Sequence, residues 1–379
     1  MKVLFTGGGT AGHINPALAA AGYLKQKVPE VEILYVGNKG GMEERLVAQA
    51  GYPIRTIHIS GFQRKMTPKN LVRNAQTVVK MFTATAEAKK IIKEFQPDVC
   101  VGTGGYVSGP VIREAAKLGV PCVIHESNAY PGVTTKALAR RVKTVMLAVP
   151  DAKKYFADSV HCTVTGNPVR GEVLAAQREE SRKALGLDDR PVVLSFGGSL
   201  GASALNRAAA YMLAESAKEG KYQHIHGYGA HDEKFLDEVR EFGLDPEKNS
   251  QIRLLEYIDN MPQCLAAADL VIGRAGAMTL TEIEAKGKAS ILIPSPNVAE
   301  NHQYHNAMAL VRRGAAELIE EKDLTGEALW KKVKKILSDP DRLASLGENA
   351  EKLEVLDANE RIYRVIREAY LSGKEAKKK

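Results

Sequence analysis

The chain has 379 residues, 44% hydrophobic and 26% charged, an ordinary globular balance that excludes a collagen repeat, a disulfide scaffold and wholesale disorder. At about 150 residues per domain this length implies two or three domains, and abundant Gly (33) with few aromatics (6%) suits an α/β protein better than a β-sandwich. The formal net charge is +8, and the excess is concentrated: Arg64, Lys65, Lys69, Arg73, Lys80, Lys89, Lys90 and Lys93 stand against Glu87 alone, a basic window that points to an anionic partner, either nucleic acid or a phospholipid surface.

Lys2–Thr6 reads as a short apolar strand and runs straight into glycines, with no apolar core of a secretory leader. Asn15-Pro16 then looks like a helix opening, Asn as cap and Pro at the first helical position. A strand over Val31–Val36 completes a βαβ unit, the building block of parallel sheets. Leu71, Val72, Ala75, Val78, Val79 and Phe82 form a helical stripe whose default reading is a core-facing helix; its basic flanks allow an interfacial patch instead. Further strands are expected at Ile54–Ile59, Val99–Val101, Cys122–Ile124 and Thr144–Ala148. The pattern restarts at Pro191–Phe196, followed by a glycine loop, a helix through Leu205–Leu213, and strands at Gln223–His226, Ile252–Leu255, Leu270–Ile272 and Ser290–Ile293. Two such halves imply two Rossmann-like domains with a hinge near Gly166-Asn167-Pro168, and the polar stretch Gln177–Asp189 reads as a surface helix. No run of 18 apolar residues suggests a membrane span. Cys100, Cys122, Cys162 and Cys264 form no CxxC pair and read as reduced thiols, and the basic end Lys374–Lys379 as a frayed terminus.

Gly7-Gly8-Gly9-Thr10-Ala11-Gly12 contains G-x-G-x-x-G between a strand and a helix, where bare backbone and a helix N-terminus favour a phosphate. A dinucleotide site would need an acid after the second strand, and that end reads Val36-Gly37-Asn38-Lys39. The second loop, Gly197-Gly198-Ser199-Leu200-Gly201, could hold a diphosphate but lacks the Gly-Lys-Ser/Thr of a P-loop. Two loops in two similar halves suggest a ligand clamped between the domains. His125-Glu126-Ser127-Asn128 sits at a strand end where parallel sheets present functional groups, and is not HExxH; the plainer alternative is a histidine that fixes a turn. In Gly273–Glu282, Thr279 and Glu282 could serve an anion and a ribose or form a capping box, and the pattern leaves both open. Glu300–Asn306 is dense in amide and imidazole groups that suit sugar hydroxyls, or is the polar first turn of a surface helix.

Together with Gly104-Gly105-Tyr106-Val107-Ser108-Gly109-Pro110, Gly166–Arg170, Tyr257–Met261 and His302-Gln303, and in this order over residues 1 to about 360, these segments resemble the family of peptidoglycan N-acetylglucosaminyltransferases typified by MurG. The resemblance implies a GT-B architecture: two Rossmann-like parallel-sheet domains facing across a cleft, the first over residues 1–165 for acceptor and membrane docking, the second over 166–349 for UDP-GlcNAc, with a helix from about 350–379 packing back onto the first. By the family pattern, Ile258 contacts uracil through its backbone and Glu282 binds ribose. Ser199, Arg170 and the turn Ala277-Met278-Thr279, with Leu280 and Thr281 behind it, hold the diphosphate. Gln303 and Asn128 contact the sugar, and Thr10, Ala11 and Gly12 close over the donor. Gly8, Gly9, Gly104, Gly105 and Tyr106 face the acceptor, near His13 and Glu126. Ala11 stands where the family often has Gly, and Tyr130-Pro131 replaces smaller residues, without loss of a polar group.

The implied reaction is inverting transfer of N-acetylglucosamine from UDP-GlcNAc to the C4 hydroxyl of undecaprenyl-pyrophosphoryl-muramyl-pentapeptide. His13 is the first candidate for the base and Glu126 the second, or the group that orients it. No cofactor is expected beyond the donor substrate, and no metal, because no DxD-like pair adjoins a glycine loop. The lipid acceptor implies a peripheral enzyme at the cytoplasmic face of the cell membrane, docked on anionic lipid through the basic window. A nucleic-acid partner is not expected, because only Phe82 interrupts that window as a stacking platform. A glycolipid glycosyltransferase or a UDP-GlcNAc 2-epimerase is the rival within the same architecture.

Overall fold

The computed structural model describes the chain outside residues 62–67, 199, 231, 233 and 377–379, and its side chains outside those and residues 68–79 and 299. Arg64, Lys65, Ser199 and Lys377–Lys379 therefore lie outside the described residues, as do the side chains of Lys69, Arg73 and the stripe from Leu71 to Val79. Two units are present, Met1–Pro168 with Asp357–Lys379, and Val169–Leu356.

In the first unit, β1 (Lys2–Thr6), α1 (Ala11–Lys27), β2 (Glu32–Asn38), α2 (Met42–Gln49), β3 (Ile54–Ile57), α3 (Pro68–Phe95), β4 (Val99–Gly102), α4 (Gly105–Lys117), β5 (Cys122–Glu126), α5 (Val133–Leu138), β6 (Thr144–Leu147) and β7 (Cys162–Val164) build a parallel sheet of order β3-β2-β1-β4-β5-β6-β7. The strands are near-continuous apolar runs because both faces are covered, as parallel sheets require. The strand order reverses between β1 and β4, so the loops after these two strands flank the crevice where such sheets bind ligands.

In the second unit, α6 (Gly171–Ala175) and α7 (Arg178–Ala184) precede β8 (Val192–Phe196), α8 (Ser203–Glu219), β9 (Gln223–Gly227), α9 (Phe235–Glu241), β10 (Ile252–Leu255), α10 (Met261–Ala267), β11 (Leu270–Gly273), α11 (Ala277–Ala285), β12 (Ala289–Leu292), α12 (His302–Val311), β13 (Glu317–Leu318), α13 (Gly326–Leu337) and α14 (Pro340–Glu351). Its parallel sheet has the order β10-β9-β8-β11-β12-β13, with the reversal between β8 and β11. The last helix, α15 (Ala358–Ala376), belongs to the first unit: Ile362, Val365, Ile366 and Ala369 are buried with Val3, Phe5, Val99 and Val101. At its start Glu360 accepts from the Tyr23 hydroxyl (2.9 Å) and pairs with Lys27 (3.1 Å).

Several sequence readings need correction. Helix α1 begins at Ala11, not at Asn15, and Pro16 lies inside it. Its first turn is held from the side, by the Thr103 hydroxyl donating to the His13 carbonyl (2.6 Å), and Pro16 removes only the N–H that would have reached Gly12. Strands β4, β9 and β11 run one residue further, onto Gly102, Gly227 and Gly273. A Cβ at Gly102 would come within 2.9 Å of Ile112, and one at Gly227 within 2.9 Å of Ile258, so these strands end on glycine because neighbours press on them. Phe82 is 75% exposed, against the core-facing reading of its stripe. The buried face of α3 carries Ala84, Ala88, Ile91 and Ile92 instead, at helical spacing. The polar stretch before β8 is not wholly superficial: Arg182 is buried, donating to the carbonyls of Ala267 (3.3 Å) and Arg190 (2.7 Å) and pairing with Asp269 (3.4 Å), partners that its forked guanidinium can satisfy together. The first unit extends to Pro168 because Thr165, Gly166 and Asn167 bond to Leu147, His125 and Ser127.

Candidate functional site

The second unit carries a cavity of about 570 Å³ at the reversal of its strand order. Its walls are the loop after β8 (Gly197, Gly198, Gly201, Ala202), the turn after β11 (Arg274, Gly276, Thr279), and Ser295, Asn297, Gln303 and Glu321. Helix α11 opens at Ala277 with Gly276 as its cap residue and no side-chain cap bond. The capping box is thus absent: Thr279 is in the first turn facing the cavity, and Glu282 lies a turn further in. First-turn N–H groups without helical partners, at the positive end of the helix dipole, favour an anion here. Gln303 accepts the Ser295 N–H on its side-chain oxygen (2.9 Å), which shapes the loop and leaves its NH2 as the donor end. Arg274 donates to the Ile293 carbonyl (3.1 Å) and pairs with Glu321, so a mostly buried guanidinium is fixed in the cavity wall. Sequence reasoning assigned Arg274 no role, although its place directly after β11 at the reversal was the available signal.

Arg170 and Glu282 meet each other. Both Nε (3.0 Å) and Nη2 (2.7 Å) of Arg170 donate to Oε1 of Glu282. Burial raises the Glu282 carboxyl above its ordinary value, and Arg170 offsets part of that rise. Leu280 and Thr281 are buried, the Thr281 hydroxyl donating to the Ala277 carbonyl (3.0 Å), so their side chains do not line the cavity. Ile258 is also buried, packed over Gly227. Ala277 and Met278 are half-buried in the first turn of α11.

In the first unit, the loops after β1 and β4 are joined at the reversal by Gly8 N–H donating to the Gly104 carbonyl (3.3 Å). The His13 ring lies against this junction, with Nδ1 3.1 Å from the Gly8 carbonyl oxygen and 3.1 Å from Oγ1 of Thr10. A carbonyl oxygen only accepts, so Nδ1 carries the proton and, in the neutral ring, Nε2 carries the lone pair. The ring has room because position 104 is glycine: a Cβ there would sit 2.8 Å from Cδ2 of His13. At Gly105, with φ +78°, a Cβ would overlap the Gly8 carbonyl. Tyr106 lies along Gly9, where a Cβ would come within 2.7 Å of its ring, and its hydroxyl accepts from Asn38 (3.5 Å). Thr10, Ala11 and Gly12 form the outward-facing start of α1.

Glu126 is buried and engaged on both oxygens: Oε1 accepts from the backbone and side-chain nitrogens of Asn128 (3.0 Å each), and Oε2 from the Gly132 N–H (2.9 Å). It therefore holds the loop after β5 closed on itself. His125 is buried, bonded to the Gly166 carbonyl (3.0 Å), and burial lowers its pKa, which places it in the turn-fixing role. Among the described residues, no three His, Cys, Asp or Glu side chains come together to hold a metal ion, and no helix is long and apolar enough to cross a membrane.

Residues 3–147 match the glycosyltransferase family 28 N-terminal domain and residues 192–362 the glycosyltransferase family 28 C-terminal domain. Over 370 residues, 97% of this chain and 98% of the relative, the chain is 43% identical to the UDP-N-acetylglucosamine--N-acetylmuramyl-(pentapeptide) pyrophosphoryl-undecaprenol N-acetylglucosamine transferase of Acetivibrio thermocellus. It is 41% identical over 370 residues, 97% of this chain and 99% of the relative, to the protein of the same name from Halalkalibacterium halodurans. The crystal structure of Acinetobacter baumannii MurG is similar with a TM-score of 0.76 at 30% identity, covering 97% of this chain and 99% of that one. A Neisseria meningitidis UDP-GlcNAc 2-epimerase shares the fold, with a TM-score of 0.67 at 11% identity over 98% of this chain and 100% of that one.

Proposed function

The chain belongs to glycosyltransferase family 28, and from that membership we propose that it transfers N-acetylglucosamine from UDP-GlcNAc to lipid-linked N-acetylmuramyl-pentapeptide in peptidoglycan synthesis. The observation that carries this reading is 43% identity, across 97% of the chain, to a transferase of that name. The epimerase reading has only a shared fold at 11% identity behind it.

In the proposed reaction the C4 hydroxyl oxygen of the muramyl group attacks the anomeric carbon, the bond from that carbon to the diphosphate breaks with inversion, and UDP leaves with the electron pair. His13 takes the hydroxyl proton on Nε2. Support for this assignment over Glu126 is the hydrogen bonding: the Gly8 carbonyl fixes the proton on Nδ1 of His13, whereas both oxygens of Glu126 are occupied by the loop they close. Negative charge on departing UDP would be met by the α11 N-terminus and by Arg170 and Arg274, without a metal ion or any other cofactor. Glu282 would take the ribose, and Gln303 the sugar through its NH2. The acceptor would face Gly8, Gly9, Gly104, Gly105 and Tyr106.

The same reading makes the protein a peripheral enzyme on the cytoplasmic face of the membrane. Lys89 and Lys93 on α3 are exposed on the same helical face as the exposed Phe82, with the exposed Lys90 next to them, a basic face with an apolar anchor that fits an anionic lipid surface, whereas a single aromatic ring is a poor stacking platform for nucleic acid. The test is release of UDP from UDP-GlcNAc that depends on a lipid-linked muramyl-pentapeptide acceptor; turnover of the donor with no acceptor present would overturn the reading.

A further inference from the structure

Helix α2 places Glu43, in its first turn, directly beneath the first glycine loop. The residue is fully buried, and three glycines make the slot for it. A Cβ at Gly8 or at Gly41 would overlap its carboxyl oxygens, and one at Gly37 would lie 2.9 Å from its Cβ. Oε1 accepts the Gly9 N–H at 2.8 Å, while Oε2 is buried with no hydrogen-bond partner. Burying a carboxyl group with one oxygen unpaired is costly, and a slot of three glycines built around that group shows that its position is specified.

The N–H that Glu43 holds and the carbonyl that faces His13 belong to one peptide group. The Gly8–Gly9 peptide presents its N–H to Oε1 of Glu43 and its oxygen to Nδ1 of His13, 3.1 Å away. The neighbouring peptide is braced as well, with the Gly7 carbonyl accepting from the Tyr35 hydroxyl (2.8 Å). Two adjacent glycines would otherwise leave this peptide free to rotate, because neither residue carries a Cβ to restrict it. We propose that Glu43 is a positioning residue that locks the Gly8–Gly9 peptide and, through it, the orientation and the Nδ1–H tautomer of His13. The arrangement has the logic of a nucleophile's base oriented by a third group, with a peptide inserted between carboxyl and imidazole. It rests on the reading of His13 as the base for its catalytic consequence, but the tautomer itself is independent of that reading.

The test is long-range proton–nitrogen NMR of the full chain labelled with 15N-histidine, the His13 signals being assigned by their loss in His13→Gln. The proposal expects a protonated Nδ1 and an unprotonated Nε2 in the parent protein and in Glu43→Gln, which keeps an oxygen in reach of Gly9. It expects mixed or reversed tautomers in Glu43→Ala and in Glu43→Asp, which keeps a carboxyl group and fills more of the slot but withdraws the oxygen. Kinetics should follow: Glu43→Ala and Glu43→Asp lower kcat by about 10- to 100-fold with UDP affinity unchanged, and Glu43→Gln recovers most of the loss. An unchanged Nδ1–H tautomer in both Glu43→Asp and Glu43→Ala would overturn the proposal. If His13→Ala retains near-full kcat, the base assignment falls, and the NMR result still decides the role of Glu43.

Discussion

Replacing Glu282 with Gln tests the donor site at one atom. Both Arg170 nitrogens go to Oε1 at 2.7 and 3.0 Å, so a ribose hydroxyl would fall to Oε2. The substitution keeps the shape and an acceptor for Arg170 while turning a charged partner of the ribose into a neutral amide. A hydrogen bond to a charged group is worth about 1.5–3 kcal/mol and a neutral one about 0.5–1.5, so the expected loss is about 1–2 kcal/mol. That corresponds to UDP binding weaker by about five- to thirty-fold, read by isothermal titration calorimetry. The pH dependence adds a second signature. Burial raises the Glu282 carboxyl, so it takes up a proton at a higher pH than an ordinary glutamate. Wild-type affinity for UDP should therefore weaken as pH falls through that raised value, and the Gln variant should be flatter. Arg170 is 40% exposed on its side chain, so its loss of a charged partner should cost the fold only about 1 kcal/mol. Equal UDP affinity for the two proteins, with the same pH dependence, would refute the ribose assignment.

His13→Ala should lower kcat by about 10²- to 10⁴-fold while UDP affinity stays unchanged, and near-full kcat would remove His13 as base. Ile366 on α15 is fully buried against the first sheet, so Ile366→Ala should destabilise the protein by about 2–5 kcal/mol in urea unfolding; no change would mean that α15 contributes nothing to that core. His224 and His226 are buried in β9, where burial holds both down at about 3. Unfolded histidines bind protons below about 6.5, so this pair's contribution to stability is complete above that pH and is lost as pH falls toward 3. Glu284, pushed up to about 8 by burial beside Glu354, opposes the trend, but two histidines outweigh one carboxyl. Both imidazoles should still be neutral at pH 4.5 in a nitrogen-15 spectrum of the folded protein, and protonated rings would contradict this. Neutralising Lys89, Lys90 and Lys93 together, each to Gln, should weaken binding to anionic vesicles by about a hundredfold at about 1 kcal/mol per residue, and unchanged binding would refute the docking face.

The two βαβ halves were legible because each begins with an apolar strand that meets glycines, a pattern set by local chemistry alone. Strand ends were less so. Gly102, Gly227 and Gly273 look like breakers in isolation, yet they are the last strand residues, and at Gly102 and Gly227 the side chains of Ile112 and Ile258 leave no room for a Cβ. The start of α1 was misplaced for a related reason: Asn15-Pro16 is a good local opening signal, and the contact that moves the start to Ala11 comes from Thr103, ninety residues away. Phe82 satisfied the period of a buried stripe, and only the choice of face made by Ala84, Ala88 and Ile91 turns it outward. Within the candidate site, the glycine loops, His13 and the α11 turn stood out by composition. Glu43 did not, since a glutamate early in a helix is ordinary, and nothing local shows that it lies under Gly9 or that it reaches His13 through one peptide. Nor could spacing show that Glu126 would spend both oxygens on its own loop.

The most direct test of the account is a mass-spectrometric transfer assay with the full chain, UDP-GlcNAc and a short-tailed analogue of the lipid-linked muramyl-pentapeptide, run with EDTA present. The account predicts an acceptor heavier by one N-acetylhexosamine, with an equal amount of UDP released. An unmodified acceptor, with UDP-GlcNAc converted to its 2-epimer or hydrolysed to UDP and free sugar, would contradict it.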